Sequence, residues 1–353
     1  MTAPARSCLS FLFPLLCIAA AAGQHAASPT PEGRPQANPP SRTIQLNVVV
    51  SNQSGAHAAG LQQKDFTVLD NNVPQTITSF RALTGSPEPV EVLLLLDAVN
   101  TPYEAVARER VGVDKFLRAN NGRLAYPTQL VISTDKGVQL ERGFSLDGNA
   151  LAPVADHAMT GLRMDPLSTG VYGAMQRFQT SINAFHQVTT YAATLPGRKL
   201  ILWISPGWPL FSGPDVQING AEQKSFFELI VSISTQLRQA DITVYNVNPW
   251  GAAEPMEQTF RYEEFLNGVT SPKGIRAANL GLQVIATHNG GLVLSSRDIS
   301  GLLARCVADA GAYYKLSFES PPTERENVYH PLNVTIAEPG LTARTSTGYY
   351  AQP

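Results

Sequence analysis

One aspartate stands out as a candidate for chemistry because it ends a strongly apolar run. Asp97 follows residues 90–96, VEVLLLL, a run typical of a buried strand. A carboxylate in such a place is unfavourable unless it accepts hydrogen bonds or faces a cation or a metal ion. Thr101, four residues later and directly before Pro102, is also a good residue to cap a helix. The pattern leaves two hypotheses open, a binding site and a structural turn.

The sequence lacks the motifs of the common enzyme classes. It contains no GxSxG nucleophile elbow, no HExxH zinc motif and no glycine-rich phosphate loop of either usual type. Ser205 ends an apolar run, but Pro206 and Pro209 follow it, which favours an extended loop over a tight turn into a helix. We therefore predict a protein without catalytic activity, and a secreted α/β hydrolase is the less favoured alternative.

The charge balance argues against nucleic acid as a partner. The 353 residues include 26 Lys and Arg against 28 Asp and Glu, a formal net charge of −2. A protein that binds nucleic acid is expected to carry a clear excess of basic residues. With 43% hydrophobic residues the chain is expected to form a packed globular body that does not bind nucleic acid.

Two tryptophans lie on loops that follow predicted strands. Trp208 comes shortly after the apolar run that ends at Ser205, and Trp250 follows the run at residues 241–248. Aromatic side chains on such loops are frequent at protein interfaces. We therefore predict that both tryptophans lie at the surface and contact a partner.

The elements that would position these residues alternate between strands and helices. Apolar strand-like runs are followed by stretches with apolar residues every three or four positions, the clearest at residues 170–194. Repeated units of this kind predict an α/β fold with a doubly wound, mainly parallel sheet. Ligands of such sheets bind at the carboxyl ends of the strands, so the loops after Asp97 and Ser205 and the loop that contains Ser168 should lie together.

Short strand-like runs flank this region on both sides. A strand begins at Thr43, and two further runs surround the turn at residues 70–72, Asp-Asn-Asn. Alternating apolar residues return after Tyr314. We predict that residues 43–85 and 313–353 form one β-sandwich module, with an α/β domain at residues 88–312 inserted between them.

The amino-terminal residues predict export. An arginine precedes the apolar stretch CLSFLFPLLCIAAAA, which is too short to span a membrane and ends in small residues, so residues 1–23 are predicted to be a signal peptide. Residues 24–42, rich in proline, alanine and small polar residues, are predicted to be an extended linker. The mature chain would then be periplasmic or extracellular, with no transmembrane segment and with Cys306 as its one cysteine.

Three stretches resemble a known family. LLLLDAVNT, the run GLQQKDFTVLDNNVPQTITSF and the closing TARTSTGYYA are similar to the von Willebrand factor A (VWA) domain family, in particular to a secreted bacterial group described from acidobacteria. The similarity spans roughly residues 43–351. It implies a VWA fold and a protein-binding or adhesive role, without an established catalytic activity.

The resemblance also implies a metal site. VWA domains hold a metal ion through a DxSxS motif, a threonine on a second loop and an aspartate on a third, and Asp97, Thr101 and Thr169 match three of these positions. Val99 and Pro206 occupy the other two and cannot supply a side-chain oxygen. Since Mg²⁺ prefers six oxygen ligands, a degenerate site with weak or absent Mg²⁺ is expected.

The combined prediction is an exported, non-catalytic VWA-like module that binds a protein or a cell-surface polymer. Asn100, Ser205, Trp208 and Trp250 are the predicted contact residues, and Asp97, Thr101 and Thr169 the predicted metal ligands. A structural envelope component without a metal or ligand site is the alternative.

Overall fold

The computed structural model describes residues 42–84, 88–161, 170–209, 218–250, 262–323 and 325–352. The predicted signal peptide and all of the predicted linker except Arg42 lie outside these residues, as do Ser168 and Thr169.

The described chain alternates strands and helices between two groups of consecutive strands. The strands are β1 (Thr43–Asn52), β2 (Phe66–Asp70), β3 (Val73–Gln75), β4 (Ile77–Thr84), β5 (Val90–Asp97), β6 (Arg123–Thr134), β7 (Gly137–Leu140), β8 (Ser145–Asp147), β9 (Arg198–Ile204), β10 (Ile242–Asn248), β11 (Val293–Ser295), β12 (Ala312–Glu319), β13 (Val328–Ile336), β14 (Leu341–Arg344) and β15 (Gly348–Ala351). The helices are α1 (Tyr103–Arg118), α2 (Gly148–Gly161), α3 (Gly170–Ala193), α4 (Gly220–Gln239), α5 (Leu282–His288) and α6 (Ile299–Ala308).

A mostly parallel sheet forms the centre of the α/β region. Its order is β11-β10-β9-β5-β6-β7, with β8 beside β6, and only β7 and β8 pair antiparallel. Alternate residues of β5 face opposite layers: Leu94 and Leu96 pack in one apolar cluster with α1, α2 and α6, whereas Leu93 and Leu95 pack in another with α3, α4 and α5. Helices therefore cover both faces, which explains why the central strands are continuously apolar. The predicted α/β class with a doubly wound sheet is confirmed.

Two antiparallel sheets accompany the central sheet. Their orders are β14-β1-β12-β4 and β15-β13-β2-β3, so each combines strands from both ends of the described chain. Their inner faces share one apolar cluster that includes Leu46, Phe66, Leu316 and Tyr349. The predicted hairpin between β2 and β3 forms at Asn71 and Asn72, which both have positive φ, as a tight two-residue turn requires.

Two local predictions differ from the structure. The helix expected near residues 275–288 is a short 3-10 turn at Ala277–Leu280 followed by α5, because the chain is extended at Gly281. The capping box expected between Ser295 and Asp298 is absent, since Asp298 is itself the residue before α6 and its side chain caps no amide. Among the helices that the structure describes, none is both long and apolar enough to cross a membrane.

Candidate functional site

The Asp97 carboxylate is saturated by hydrogen bonds from the protein. Its Oδ1 accepts from the backbone amides of Val99 (3.0 Å) and Asn100 (3.1 Å), and its Oδ2 accepts from Asn100 Nδ2 (2.9 Å) and Trp203 Nε1 (3.0 Å). The side chain is buried at the carboxyl end of β5. Burial raises the pKa of Asp97, and hydrogen bonds from Asn100, Trp203 and Ser205 oppose this rise. The carboxylate thus organises the turn that follows its strand, as aspartates commonly do.

Asn100 connects this turn to the neighbouring helix. Besides its bond to Asp97, Asn100 Nδ2 donates to Ser181 Oγ in the fourth turn of α3 (2.8 Å). The predicted cap of α1 by Thr101 is not observed, because Pro102 precedes the helix and no side chain caps it. Thr101 is buried instead. The loop between β5 and α1 is therefore held by contacts that reach across the sheet edge.

Glu109 belongs to this site although sequence reasoning missed it. It lies on the buried face of α1, together with Ala105 and Val113. Burial, and then the nearby charge of Asp97, raise the pKa of Glu109 well above its usual range. The sequence spacing indicates this burial: Glu109 lies four residues from both Ala105 and Val113, on the apolar face of an amphipathic helix.

Ser205 occupies the third loop of the site, directly after β9. Its side chain is buried, its Oγ accepts from the amide of Gly207 (3.1 Å), and its carbonyl oxygen accepts from Asn246 Nδ2 (2.9 Å). Asn100 and Ser205, both predicted as contact residues, therefore lie beneath the surface, where they support the loops.

The two tryptophans predicted at the surface are placed differently. Trp208 is only 3% exposed, so its predicted surface position is wrong. Its ring packs edge-on against Trp203, with ring centres 5.3 Å apart, and against Phe185, 5.6 Å apart. The loop after β9 folds back over α3 and buries the indole, which favours stability because aromatic rings bury a large apolar area. Trp250 is half-buried, and its amide donates to Asn248 Oδ1 (2.9 Å).

The Asp97 carboxylate is already occupied by hydrogen bonds, although Asn100 Oδ1 and Thr101 Oγ1 beside it are buried without a partner. Each carboxylate oxygen already accepts two hydrogen bonds, and Asn100 directs its amide nitrogen, not its oxygen, at Asp97. Hard cations need several converging oxygens. Within the described ranges, no group of three or more His, Cys, Asp or Glu side chains could hold a metal ion. Thr169, the remaining predicted ligand, lies outside the described residues.

Exposed apolar side chains flank the buried site. Tyr103, the first residue of α1, is 78% exposed, and Tyr172 and Met175 in α3 are 81% and 58% exposed. Ser181 contacts Asn100 at the sheet edge. An α-helix rises about 1.5 Å per residue, so Met175 lies about 9 Å from Ser181 towards the amino terminus of α3, and Tyr172 lies about 14 Å from it in the same direction. We call Tyr103, Tyr172 and Met175 the edge surface. These side chains present aromatic and thioether groups to solvent from α1 and α3, which cover opposite faces of the sheet.

Comparison with known proteins finds only distant similarity to the solved structures named below. No family model and no curated protein matches the sequence. The chain is similar to the manganese-loaded TRAP protein of Plasmodium vivax (9% identity, 77% of this chain and 97% of that one covered, TM-score 0.34) and to a von Willebrand factor type A protein from Catenulispora acidiphila (11%, 89% and 74%, TM-score 0.32). It is also similar to proximal thread matrix protein 1 of the mussel byssus (14%, 66% and 49%, TM-score 0.32).

The similar structures include a von Willebrand factor type A protein.

Proposed function

We propose that this chain is an exported, non-catalytic module that binds a protein through the edge surface, without a metal ion between the two. The observation that carries the proposal is the contrast at one edge of the sheet. The acidic group that could attract a cation is buried and saturated by hydrogen bonds, whereas large apolar side chains around it are exposed. Exposed aromatic and thioether side chains are characteristic of protein interfaces.

The chemistry of the edge supports a non-catalytic role. Ser205, the serine at this edge, is buried and its hydroxyl accepts from a backbone amide. The histidines with described side-chain hydrogen bonds are engaged elsewhere, with Asp309 (His57), Thr347 (His288) and Asp70 (His330). A nucleophile needs a base and access to a substrate; the carboxylate beside Ser205 is that of Asp97, and both side chains are buried. Export rests on the predicted signal peptide.

Independence from metal is tested by thermal unfolding of residues 43–353 in EDTA and in saturating Mg²⁺, Mn²⁺ or Ca²⁺. An ion present at 100 times its dissociation constant would add about 2.7 kcal/mol, or roughly 5–10 °C for a domain of this size. We expect the midpoint to stay the same in every condition. A rise of several degrees with one ion, lost in Asp97→Asn, would contradict the proposal.

The binding surface is tested by site-specific photo-crosslinking in cells that produce the protein. A photoreactive amino acid replaces Tyr103 or Tyr172 in turn, and Val73 serves as the control because it is an exposed apolar residue (57%) in the antiparallel sheet. We expect one protein adduct shared by positions 103 and 172, unchanged by EDTA and absent at 73. Adducts at all three positions would favour the structural envelope component, and the absence of a shared adduct at 103 and 172 would exclude the edge surface as the binding site.

A further inference from the structure

A cavity lies where the α/β region meets the antiparallel sheets. On one side it is lined by α4 and β10, and on the other by β1, β13 and the segment that leads into β15. Its empty volume is about 1040 Å³, including the part open to solvent. Interfaces between structural layers are frequent sites of small-molecule binding. This cavity is separate from the edge surface and does not depend on the proposed function.

Arg238 is the charged group that makes the cavity a candidate binding site. It lines the cavity from the last turn of α4 and is half-buried. Among the described residues, its side chain has no hydrogen bond and no ion pair. Burial lowers the pKa of its guanidinium, which means that the charged form is incompletely solvated. A half-buried cation without a counterion is less well solvated than an exposed one, and a bound anion would offset that cost.

Further unpartnered polar atoms border the same cavity. Arg198 is buried and its Nη1 donates to the Asp309 carbonyl oxygen (3.1 Å), but its Nε has no hydrogen-bond partner. Thr345 Oγ1 and Asn47 Oδ1 are also buried without a partner. These residues come from β9, from the segment before β15 and from β1, and all three line the cavity, although the unpartnered atoms themselves are inaccessible to solvent. Buried polar atoms are normally satisfied, by protein or by a bound molecule.

The remaining charged groups leave the cavity positive. Asp241 lines it, but its carboxylate is engaged by Asn47 Nδ2 and by Lys315 Nζ (3.0 Å). His288 is neutral near pH 7, because burial lowers its pKa. The positive charges of Arg198 and Arg238 therefore favour a negatively charged ligand.

The rest of the wall is apolar. Ile230, Ile233 and Leu237 contribute from α4, and Tyr329 and Tyr350 from β13 and β15. We propose that the cavity binds a small organic anion with an apolar body, whose anionic group contacts Arg238 and Arg198 and whose body packs against these α4 side chains and the two tyrosines. A hydrophobic pocket with a few polar groups that fix orientation is the usual form of such a site.

The proposal is tested with 8-anilinonaphthalene-1-sulfonate, a fluorescent organic anion with an aromatic body. Titration of the folded protein, followed by fluorescence and calorimetry, should show saturable binding at one site per chain. Loss of a charge-assisted contact weakens binding by about tenfold or more, which is the effect expected for Arg238→Gln. Lys224→Gln is the matched control, since it removes a positive charge from an exposed position on the same helix and should leave affinity unchanged.

Two further measurements separate binding from folding. Because Arg238 is unpaired in the free protein, Arg238→Gln should not lower the unfolding temperature, as the loss of a structural contact would. Ser234→Trp should abolish binding by filling the cavity while both arginines remain. Decanoate should displace the dye and decanol, its neutral counterpart, should not.

Three results would overturn the proposal. These are the absence of saturable binding to the folded protein, equal affinity of Arg238→Gln and Lys224→Gln, and displacement of the dye by decanol as readily as by decanoate. The last result would show that the cavity recognises apolar bodies without regard to charge.

Discussion

The indole nitrogen of Trp203 donates a hydrogen bond to Asp97 Oδ2 across 3.0 Å, and both residues are buried. The bond joins β9 to β5, neighbouring strands of the central sheet, at the point where their loops begin. Asp97 also holds the turn before α1 and, through Asn100, contacts α3. The carboxylate is therefore a junction between two strands and two helices, which accounts for an acidic residue at the end of an apolar strand.

Asp97→Asn is expected to destabilise the protein by about 2–4 kcal/mol. The carboxylate has two oxygens that accept hydrogen bonds, whereas an asparagine side chain has one oxygen and one amide nitrogen, which donates. That nitrogen would face two other donors, either the backbone amides of Val99 and Asn100 or the side chains of Asn100 and Trp203, and two hydrogen bonds would be lost. The measurement is the midpoint of urea unfolding.

Asp114→Asn serves as the control for this substitution. It removes the same charge from a half-exposed pair with Arg118 on α1 and should cost about 0.5 kcal/mol or less. If Asp97→Asn unfolds at the same urea concentration as Asp114→Asn, then Asp97 is not the junction described above.

Glu109→Gln is expected to stabilise the protein, and the gain should grow with pH. A carboxyl whose pKa is raised on folding binds more protons in the folded state than in the unfolded state. The free energy of unfolding therefore falls as the pH rises from the ordinary pKa of 4.5 towards the raised value. Each unit of the rise corresponds to about 1.4 kcal/mol. Glutamine cannot ionise and also removes the repulsion with Asp97, so the variant should gain little at pH 4 and most at pH 8.

This prediction is checked by urea unfolding of both proteins at intervals between pH 4 and pH 8. Glu104→Gln, at an exposed position on the same helix, controls for the change in net charge. A stability difference that stays constant with pH, or that shrinks as pH rises, would contradict the raised pKa.

Gly148→Ala is expected to destabilise the protein. Gly148 is the first residue of α2, and a Cβ there would lie 1.9 Å from the carbonyl oxygen of Leu117, a backbone atom that cannot move aside by rotation. Overpacking of this kind costs about 1–3 kcal/mol or more. Gly220 is likewise the first residue of α4, but a Cβ there meets nothing within 4 Å. Gly220→Ala should therefore be neutral or slightly stabilising, and equal unfolding temperatures for the two variants would refute the close approach at Gly148.

Much of the fold could be predicted because its signals are local. The apolar run before Asp97 indicates β5, the three-to-four-residue spacing after Gly170 indicates α3, and the pair Asn71-Asn72 indicates the hairpin. Each depends on residues that are close together in the sequence, where side-chain period and turn geometry determine the outcome.

The candidate site could be predicted only in part, because its decisive contacts are not local. Asp97 was identified, but the partner that satisfies it from β9, Trp203, lies 106 residues away. Trp208 was assigned to the surface because it is on a loop, whereas packing against Phe185 and Trp203 buries it. The cavity around Arg238 combines residues from β1, α4 and the segment before β15, and no local pattern indicates that these segments meet.

Asp309→Asn is expected to weaken the connection between the α/β region and the antiparallel sheets by about 3 kcal/mol, the cost of removing one partner of a buried ion pair. Asp309 directly follows α6, and its carboxylate contacts His57 Nε2 (3.0 Å), the Tyr245 hydroxyl (2.8 Å) and the guanidinium of Arg344 in β14. Asparagine keeps the shape but leaves the Arg344 charge without its counterion. The measurement is the free energy of unfolding in urea at pH 7, with the slope of the transition recorded.

Asp298→Asn is the matched control, because Asp298 lies at the other end of α6 and forms an exposed pair with Lys115 at 3.4 Å. Exposed pairs contribute about 1 kcal/mol or less, so this variant should unfold close to the wild type. Added salt should reduce the small effect of Asp298→Asn and leave that of Asp309→Asn largely unchanged, since buried pairs are weakly screened. Two variants of equal stability would show that Asp309 does not join the two regions through its charge.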